Sequence, residues 1–177
     1  MQLEQAGRLD TSVSNQLDIA SRKTACLFAG CGRLGAILAG TGNEQEESLH
    51  NYGRAVGLAF QLTDDLLDYS SRQDVLGKPV LKDLEEGKVT LPLVFALQKA
   101  GPQDRQFLQR VVRNGELSPS DKQQVLELVG AHGALEDVRR LARQFSSEAK
   151  ACLTAFPDSP YRQALAKVPD FVTNRDK

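Results

Sequence analysis

Helical periodicity runs through almost all of this 177-residue chain and leaves little room for a β-sheet. No segment alternates apolar and polar residues with the period of two that a half-buried strand needs, and no hairpin turn joins two such segments. Breaks rich in glycine and proline separate the helical stretches, and the longest irregular segment runs from Ser71 to Thr90. We therefore expect an all-α bundle whose helices span about 11–39, 43–70, 91–100, 103–113, 119–131, 134–155 and 161–168.

Length and charge exclude several classes of function. The chain is long enough for one domain with a core, and its formal charge of −1 gives no overall field that would attract nucleic acid or an anionic membrane. It has no Trp and only 6% aromatic residues, which argues against a stacking surface for bases. No run approaches the roughly 20 apolar residues of a transmembrane helix. We expect a cytoplasmic protein that binds no nucleic acid.

The three cysteines, Cys26, Cys31 and Cys152, are also consistent with a reducing compartment. An odd and sparse set does not suit a disulfide-stabilised fold. It does not favour a zinc site either, because tetrahedral zinc needs four close nitrogen or sulfur ligands. We expect the cysteines to be buried apolar thiols.

Three carboxylates, those of Asp64, Asp65 and Asp68, share one face of the second predicted helix. Gln61 lies on the same face, and Leu62 points to the opposite side. Like charges one turn apart destabilise a helix by about 0.2–0.5 kcal/mol per pair, so a bound cation would offset a real cost. Magnesium fits this pattern best, because it takes carboxylate and water oxygens together with substrate phosphates. The alternative is a solvated acidic surface.

Lysines near the carboxylates favour the magnesium interpretation. Lys78, Lys82 and Lys88 follow in the irregular segment, and Lys23 with Thr24 lies on the preceding predicted helix. Carboxylates for a metal ion beside lysines for phosphate are what a magnesium–diphosphate site requires. The local pattern therefore predicts diphosphate chemistry.

Several motifs together resemble the trans-polyprenyl diphosphate synthases, especially those with long-chain products. Their order and spacing agree with that family, and the resemblance covers nearly the whole chain. The matching segments are FQLTDDLLD at 60–68, GKP at 77–79, DLEEGKVTLP at 83–92, RKTA at 22–25 and GAILAG at 35–40. The resemblance implies the all-α isoprenoid synthase bundle and a magnesium-dependent prenyltransferase.

That family condenses isopentenyl diphosphate with an allylic diphosphate, so the resemblance implies these two substrates. It further implies a homodimer and, on the general similarity of residues 1–40, a long-chain product that serves as a quinone side-chain precursor. Product length itself is set in the family by residues outside this chain.

The resemblance also assigns roles to charged residues. Asp64 would be the direct metal ligand, while Asp65 and Asp68 would hold metal-bound waters and nearby lysines. The allylic diphosphate would be bound by Lys23, Lys78 and Lys88.

Three uncharged residues would complete the site. Thr24 and Gln61 would face the allylic carbon, where their dipoles can stabilise developing positive charge. Phe60 would form a wall of the isopentenyl pocket. For Phe60 and Gln61, ordinary packing is the competing interpretation.

The match to the family is incomplete. The family has two aspartate-rich motifs on facing helices, and Asp64-Asp65 is the only Asp-Asp pair here. We therefore expect residues 1–177 to be the C-terminal part of one synthase domain, with the N-terminal half and its motif absent, and to be inactive alone. The alternative is a non-catalytic or truncated subunit that pairs with a complete synthase. A terpene cyclase is a weaker possibility, because the three-aspartate motif does not resemble the cyclase metal motif.

Two further positions depart from the family. Leu17 replaces a common aromatic residue. Leu81 stands where the family usually has glycine, and it would disturb the loop if that position requires a positive φ.

Overall fold

The computed structural model describes residues 11–70 and 80–175 and contains helices but no strand within these two ranges. The all-α prediction is confirmed. A π-helical turn, Ser21–Ala25, connects the first two helices, and a 3-10 turn, Leu153–Ala155, follows the eighth. The helices are α1 Val13–Ala20, α2 Cys26–Leu38, α3 Asn43–Ser70, α4 Lys82–Glu85, α5 Leu91–Lys99, α6 Pro102–Asn114, α7 Pro119–Ala131, α8 Ala134–Cys152 and α9 Pro160–Thr173.

Helix starts follow local capping chemistry. Ser118 accepts a hydrogen bond from the Asp121 backbone N–H at 3.1 Å, and its own backbone N–H donates to the Asp121 carboxylate at 3.2 Å. This reciprocal capping box, with Pro119 in the first turn, begins α7. Ser159 caps α9 by accepting a hydrogen bond from the Arg162 N–H at 3.1 Å.

Three helices differ from the sequence prediction. The short helix α4, Lys82–Glu85, lies in the segment that was predicted to be irregular. The predicted continuous helix over 11–39 contains the π-helical turn, a local rearrangement that periodicity does not reveal. The last helix does not end at Val168 but continues through Pro169 to Thr173. Proline lacks the N–H that would bond the Leu165 carbonyl, and the Tyr52 hydroxyl donates to that carbonyl instead at 2.9 Å. The helix continues because this carbonyl has another donor.

The chain folds into two compact units. Among the described residues, the first consists of 11–19, 64–70 and 80–138. Its core consists of buried aliphatic side chains around Tyr69 from the end of α3 and from the segments that follow it. The fully enclosed members include Leu81, Leu84, Leu93, Leu108, Val125 and Val129.

The second unit contains residues 20–63 and 139–176. In it α2 and α3 pack backbone to backbone. A Cβ atom on Gly53 would lie 2.2 Å from the Phe28 carbonyl oxygen, and one on Gly57 would lie 2.6 Å from the Ala25 Cα. Only glycine permits this approach.

The cysteine prediction was wrong for two of the three residues. Cys26 and Cys31 are exposed, and Cys152 is half-buried. Both exposed thiols lie on α2, whose outer side also exposes Leu34 and Leu38. An apolar stretch of sequence therefore does not become buried here. No helix in the described ranges is long and apolar enough to cross a membrane.

Candidate active site

The aspartate face lies near the C-terminal end of α3, within the first unit. Asp65 is buried, and Asp64 and Asp68 are half-buried, while Leu66 on the opposite side is packed away from solvent. The predicted separation of polar and apolar sides is therefore present. Partial burial keeps the carboxylates accessible to a ligand and reduces their hydration.

Asp68 binds the start of the segment that follows the gap in the described residues. Its backbone carbonyl accepts the Leu81 N–H at 2.9 Å. One carboxylate oxygen accepts the Lys82 N–H at 3.0 Å, and the other accepts the Asp83 N–H at 3.4 Å. Burial, reinforced by the Asp83 carboxylate, raises the pKa of Asp68 to about 6, although these N–H donors and Lys88 oppose the increase.

Leu81 has the positive φ that the sequence analysis identified as a risk. Its backbone lies in the left-handed region, at φ 60° and ψ 29°, and its side chain is fully buried in the core of the first unit. This conformation costs a non-glycine residue about 1–2 kcal/mol. Burying a leucine side chain contributes about 1.5–3 kcal/mol, which is enough to offset that cost. The loop forms despite the absence of glycine.

Lys88 is held by the same segment. Its ammonium lies 2.6 Å from a Glu86 carboxylate oxygen and 3.0 Å from Asp83 Oδ1. Its backbone N–H donates to the Asp83 carbonyl at 2.8 Å. The hydrogen bonds to Glu86 and Asp83 raise the pKa of Lys88, so the side chain is a stable cation. A fixed ammonium near carboxylates suits an anionic ligand that arrives with a metal ion.

In the second unit, the structure brings two of the predicted residues together. The Thr24 hydroxyl donates to the Gln61 side-chain oxygen at 2.6 Å, and Gln61 is buried. The hydrogen bond fixes the direction of both dipoles, which is the property required of groups that stabilise charge on a reacting carbon. Lys23, beside Thr24 in the π-helical turn, is exposed.

Phe60 contacts a residue that sequence reasoning missed. The Arg175 guanidinium lies 4.1 Å from the centroid of the Phe60 ring, and its Nη2 donates to the Phe60 carbonyl at 3.4 Å. The Phe28 ring lies 5.7 Å from the Phe60 ring on another side. Arg175 is 115 positions away in the chain, so no local pattern could identify this contact.

An apolar groove of about 570 Å³ opens in the second unit. It lies among α2, α3 and α9, and its walls are aliphatic and aromatic apart from one thiol and the edge of a tyrosine. The lining residues are Leu27, Phe28, Cys31, Gly32, Gly35, Leu49, Tyr52, Val56, Leu165 and Val168. Such a groove suits a hydrocarbon chain.

Among the residues whose placement is described, no three acidic, histidine or cysteine side chains converge closely enough to enclose an ion. The oxygen donors of Asp64 and Asp65 suit magnesium, which keeps several waters and takes its other ligands from substrate phosphates. Lys78 lies outside the described residues.

Comparisons with known proteins identify relatives of this chain. The family model for polyprenyl synthetase matches residues 1–129. The octaprenyl diphosphate synthase of Escherichia coli (strain K12) is 38% identical over 181 residues, which cover 100% of this chain and 54% of the relative. The chain thus spans about half the length of that protein.

Solved structures agree with this comparison. A polyprenyl synthase from Caulobacter crescentus CB15, complexed with calcium and isoprenyl diphosphate, has a TM-score of 0.93 and 39% identity, over 99% of this chain and 54% of its own. A geranylgeranyl pyrophosphate synthase from Corynebacterium glutamicum, complexed with isoprenyl diphosphate and magnesium, has a TM-score of 0.87 and 30% identity, over 98% and 50%.

Proposed function

Because this chain belongs to the polyprenyl synthetase family, we propose that it carries one half of a prenyltransferase site. The reaction joins isopentenyl diphosphate to an allylic diphosphate and yields a trans-polyprenyl diphosphate. One observation carries the proposal: the segment that holds the Lys88 ammonium is bonded directly to the aspartate face of α3. Acidic and cationic groups are thereby kept together, as a metal–diphosphate ligand requires.

The aspartate face holds the metal ion in this proposal. Asp64 would bind magnesium directly, and Asp65 and Asp68 would help to hold the hydrated ion. A bound magnesium ion would supply Lewis-acid stabilisation of the departing diphosphate. Relatives whose structures contain isoprenyl diphosphate with calcium or magnesium support this assignment.

The lysines bind the allylic diphosphate through charge-assisted hydrogen bonds. Lys88 contributes a fixed ammonium, and Lys23 and Lys78 contribute two more. As the allylic carbon–oxygen bond breaks, the leaving pyrophosphate takes the electron pair, and these cations stabilise the added negative charge.

Uncharged groups act on the organic part of the substrates. The Thr24 and Gln61 oxygens face the allylic carbon while positive charge develops on it. The isopentenyl double bond then attacks this carbon, a carbon–carbon bond forms, and a proton is lost from the isopentenyl unit. Phe60 forms a wall of the isopentenyl pocket, and Arg175 holds its ring in place.

The apolar groove supports a long-chain product. Each condensation lengthens the hydrocarbon by one isoprene unit, so the growing chain needs a water-excluding path. We assign that path to the groove beside α2, and the octaprenyl product named for the Escherichia coli relative is consistent with a quinone side-chain precursor.

The second half of the site is supplied by other residues. Relatives have nearly twice the length of this chain, and its sequence holds one Asp-Asp pair. We propose that residues 1–177 are the C-terminal part of a single synthase domain that works as a cytoplasmic homodimer. As a second possibility, the same half-length coverage is consistent with a non-catalytic subunit that pairs with a complete synthase.

Replacing the proposed metal ligand tests the function. In a full-length synthase that contains residues 1–177, Asp64→Ala should reduce incorporation of labelled isopentenyl diphosphate by about 100-fold or more, because the departing charge loses its metal. Circular dichroism should show unchanged helix content. Near-normal incorporation by this variant would refute the assignment of Asp64.

A further inference from the structure

Three successive backbone N–H groups, those of Leu81 to Asp83, donate hydrogen bonds to one residue, Asp68. Asp68 accepts from Leu81 at its backbone oxygen, and its two carboxylate oxygens accept from Lys82 and Asp83, at 2.9, 3.0 and 3.4 Å. A carboxylate that accepts hydrogen bonds from two successive backbone N–H groups fixes the direction of that backbone as well as its distance from the carboxylate. The aspartate face therefore sets the path of the following segment.

Leu81 supplies the backbone conformation that these bonds require. Among the residues described, it is the one non-glycine residue with a positive φ. A strained conformation of this kind persists only when the surroundings determine it. Here the core around the buried side chain holds one end of Leu81, and the N–H bonds to Asp68 hold the other.

The same arrangement extends to Lys88. Asp83, whose N–H is held by Asp68, accepts both the backbone N–H and the ammonium of Lys88, at 2.8 and 3.0 Å. On the other side of the short helix, Glu85 pairs with Lys122 of α7 at 2.6 Å. The Lys88 ammonium is thus linked to Asp68 through Asp83, and it is also held by Glu86 at 2.6 Å.

We propose that Asp68 and Leu81 are positioning residues, which hold Lys88 at the place where it binds a diphosphate. We call this pair and its three N–H bonds the Asp68–Leu81 latch. The proposal rests on the proposed function for the role of Lys88, but the latch itself is a property of the apo chain. Asp68 acts through Asp83, in addition to any contact with metal-bound water.

The latch is tested first on the 177-residue chain without metal. In Asp68→Ala, amide hydrogen exchange at Lys82 and Asp83 should accelerate by about tenfold or more, because both lose their acceptor. Asp68→Asn keeps one acceptor oxygen, so its exchange rates should fall between those of the wild type and those of Asp68→Ala. It also replaces the alanine variant in the test if that variant does not fold. Asp64→Ala is the matched control and should leave both amides protected. Equal exchange in the Asp68 and Asp64 variants would overturn the latch.

The backbone role of Leu81 has its own test. Leu81→Gly permits a positive φ and should retain protection at Lys82 and Asp83, although it removes more apolar surface than Leu81→Val. Leu81→Val disfavours that conformation and should lose the protection. Greater protection of these two amides in Leu81→Val than in Leu81→Gly would show that packing alone holds the turn.

The link to Lys88 is tested in a full-length synthase by a double-mutant cycle. Asp68→Ala should raise KM for the allylic diphosphate by about tenfold, and it should raise KM far less when Lys88→Ala is already present. Independent, multiplicative effects would overturn the positioning role. If Lys88→Ala leaves KM unchanged, the proposed role of Lys88 in diphosphate binding fails, while the exchange result still decides the latch.

Discussion

A single hydrogen bond from α3 accompanies the continuation of α9 past a proline. Pro169 leaves the Leu165 carbonyl without its helical donor, and Tyr52 donates to it from α3. The bond explains why α9 passes a residue that ends most helices. Burial raises the pKa of the Tyr52 hydroxyl to about 12, so it remains a donor at neutral pH.

Removing this hydroxyl should destabilise the chain. For Tyr52→Phe we expect a loss of about 1–2 kcal/mol in the free energy of unfolding, because a partly buried carbonyl loses its partner. The folded pKa lies above the ordinary value of 10.0, so the contribution of Tyr52 is complete below that pH and is lost as the pH rises towards about 12.

Urea denaturation at about pH 9 and about pH 11 measures this contribution. The wild-type chain should lose about 1 kcal/mol more stability than Tyr52→Phe over that interval. An identical loss in both proteins would contradict the assignment, because other titrating groups are common to the two chains.

Some residues of the site were predictable, and their contacts were not. Asp64, Asp65 and Asp68 are recognisable from helical spacing, because neighbours three and four apart share a face. The contact between Arg175 and Phe60 depends on tertiary packing across most of the chain length. The roles of these residues in binding and catalysis stay predictions.

At the level of elements, the junction of α2 and α3 depends on glycine. Gly53→Ala would place a Cβ 2.2 Å from the Phe28 carbonyl oxygen, which cannot move without its helix. We expect a loss of about 1–3 kcal/mol in the free energy of unfolding.

Gly30 provides the matched control on the same pair of helices. A Cβ there meets nothing within 4 Å, so Gly30→Ala should stabilise α2 by about 0.5–1 kcal/mol. Chemical denaturation of the two variants measures both effects. A Gly53→Ala chain as stable as Gly30→Ala would contradict the close packing of α2 on α3.

Some helix boundaries could be predicted from the local sequence, and others could not. The start of α7 was recognisable because Ser118 followed by Pro119 is a local capping signal. The π-helical turn at Ser21–Ala25 was not, since it changes the hydrogen-bond register without a distinctive residue pattern. The end of α9 was missed because the compensating donor is far away in sequence.

For the whole molecule, the prediction of an all-α fold was correct because a helical period extends over most of the chain. Burial was predicted less well. Cys26 and Cys31 are exposed on an apolar helix, and sequence composition cannot tell which apolar face is covered within one chain. The chain spans about half the length of its Escherichia coli relative.

The activity of the chain alone follows from the same argument. We expect the 177-residue protein, supplied with magnesium and farnesyl diphosphate, to incorporate labelled isopentenyl diphosphate only at background level. In the proposed function, Asp64 and its neighbours would contact a diphosphate from one side only, so the leaving group would remain largely hydrated. A full-length synthase that contains the same residues is the positive control, and sustained turnover by the short chain would contradict the half-site interpretation.

Leu81 has a consequence for how this loop responds to changes in the core. A glycine in that place adopts the left-handed backbone at no steric cost, whereas Leu81 depends on the core that encloses its side chain. Glycine at this position would leave a void of leucine size among the residues that enclose the side chain. Leucine therefore couples the backbone of the turn to the core, so a change in the volume of a neighbouring core residue would also affect the conformation of the turn.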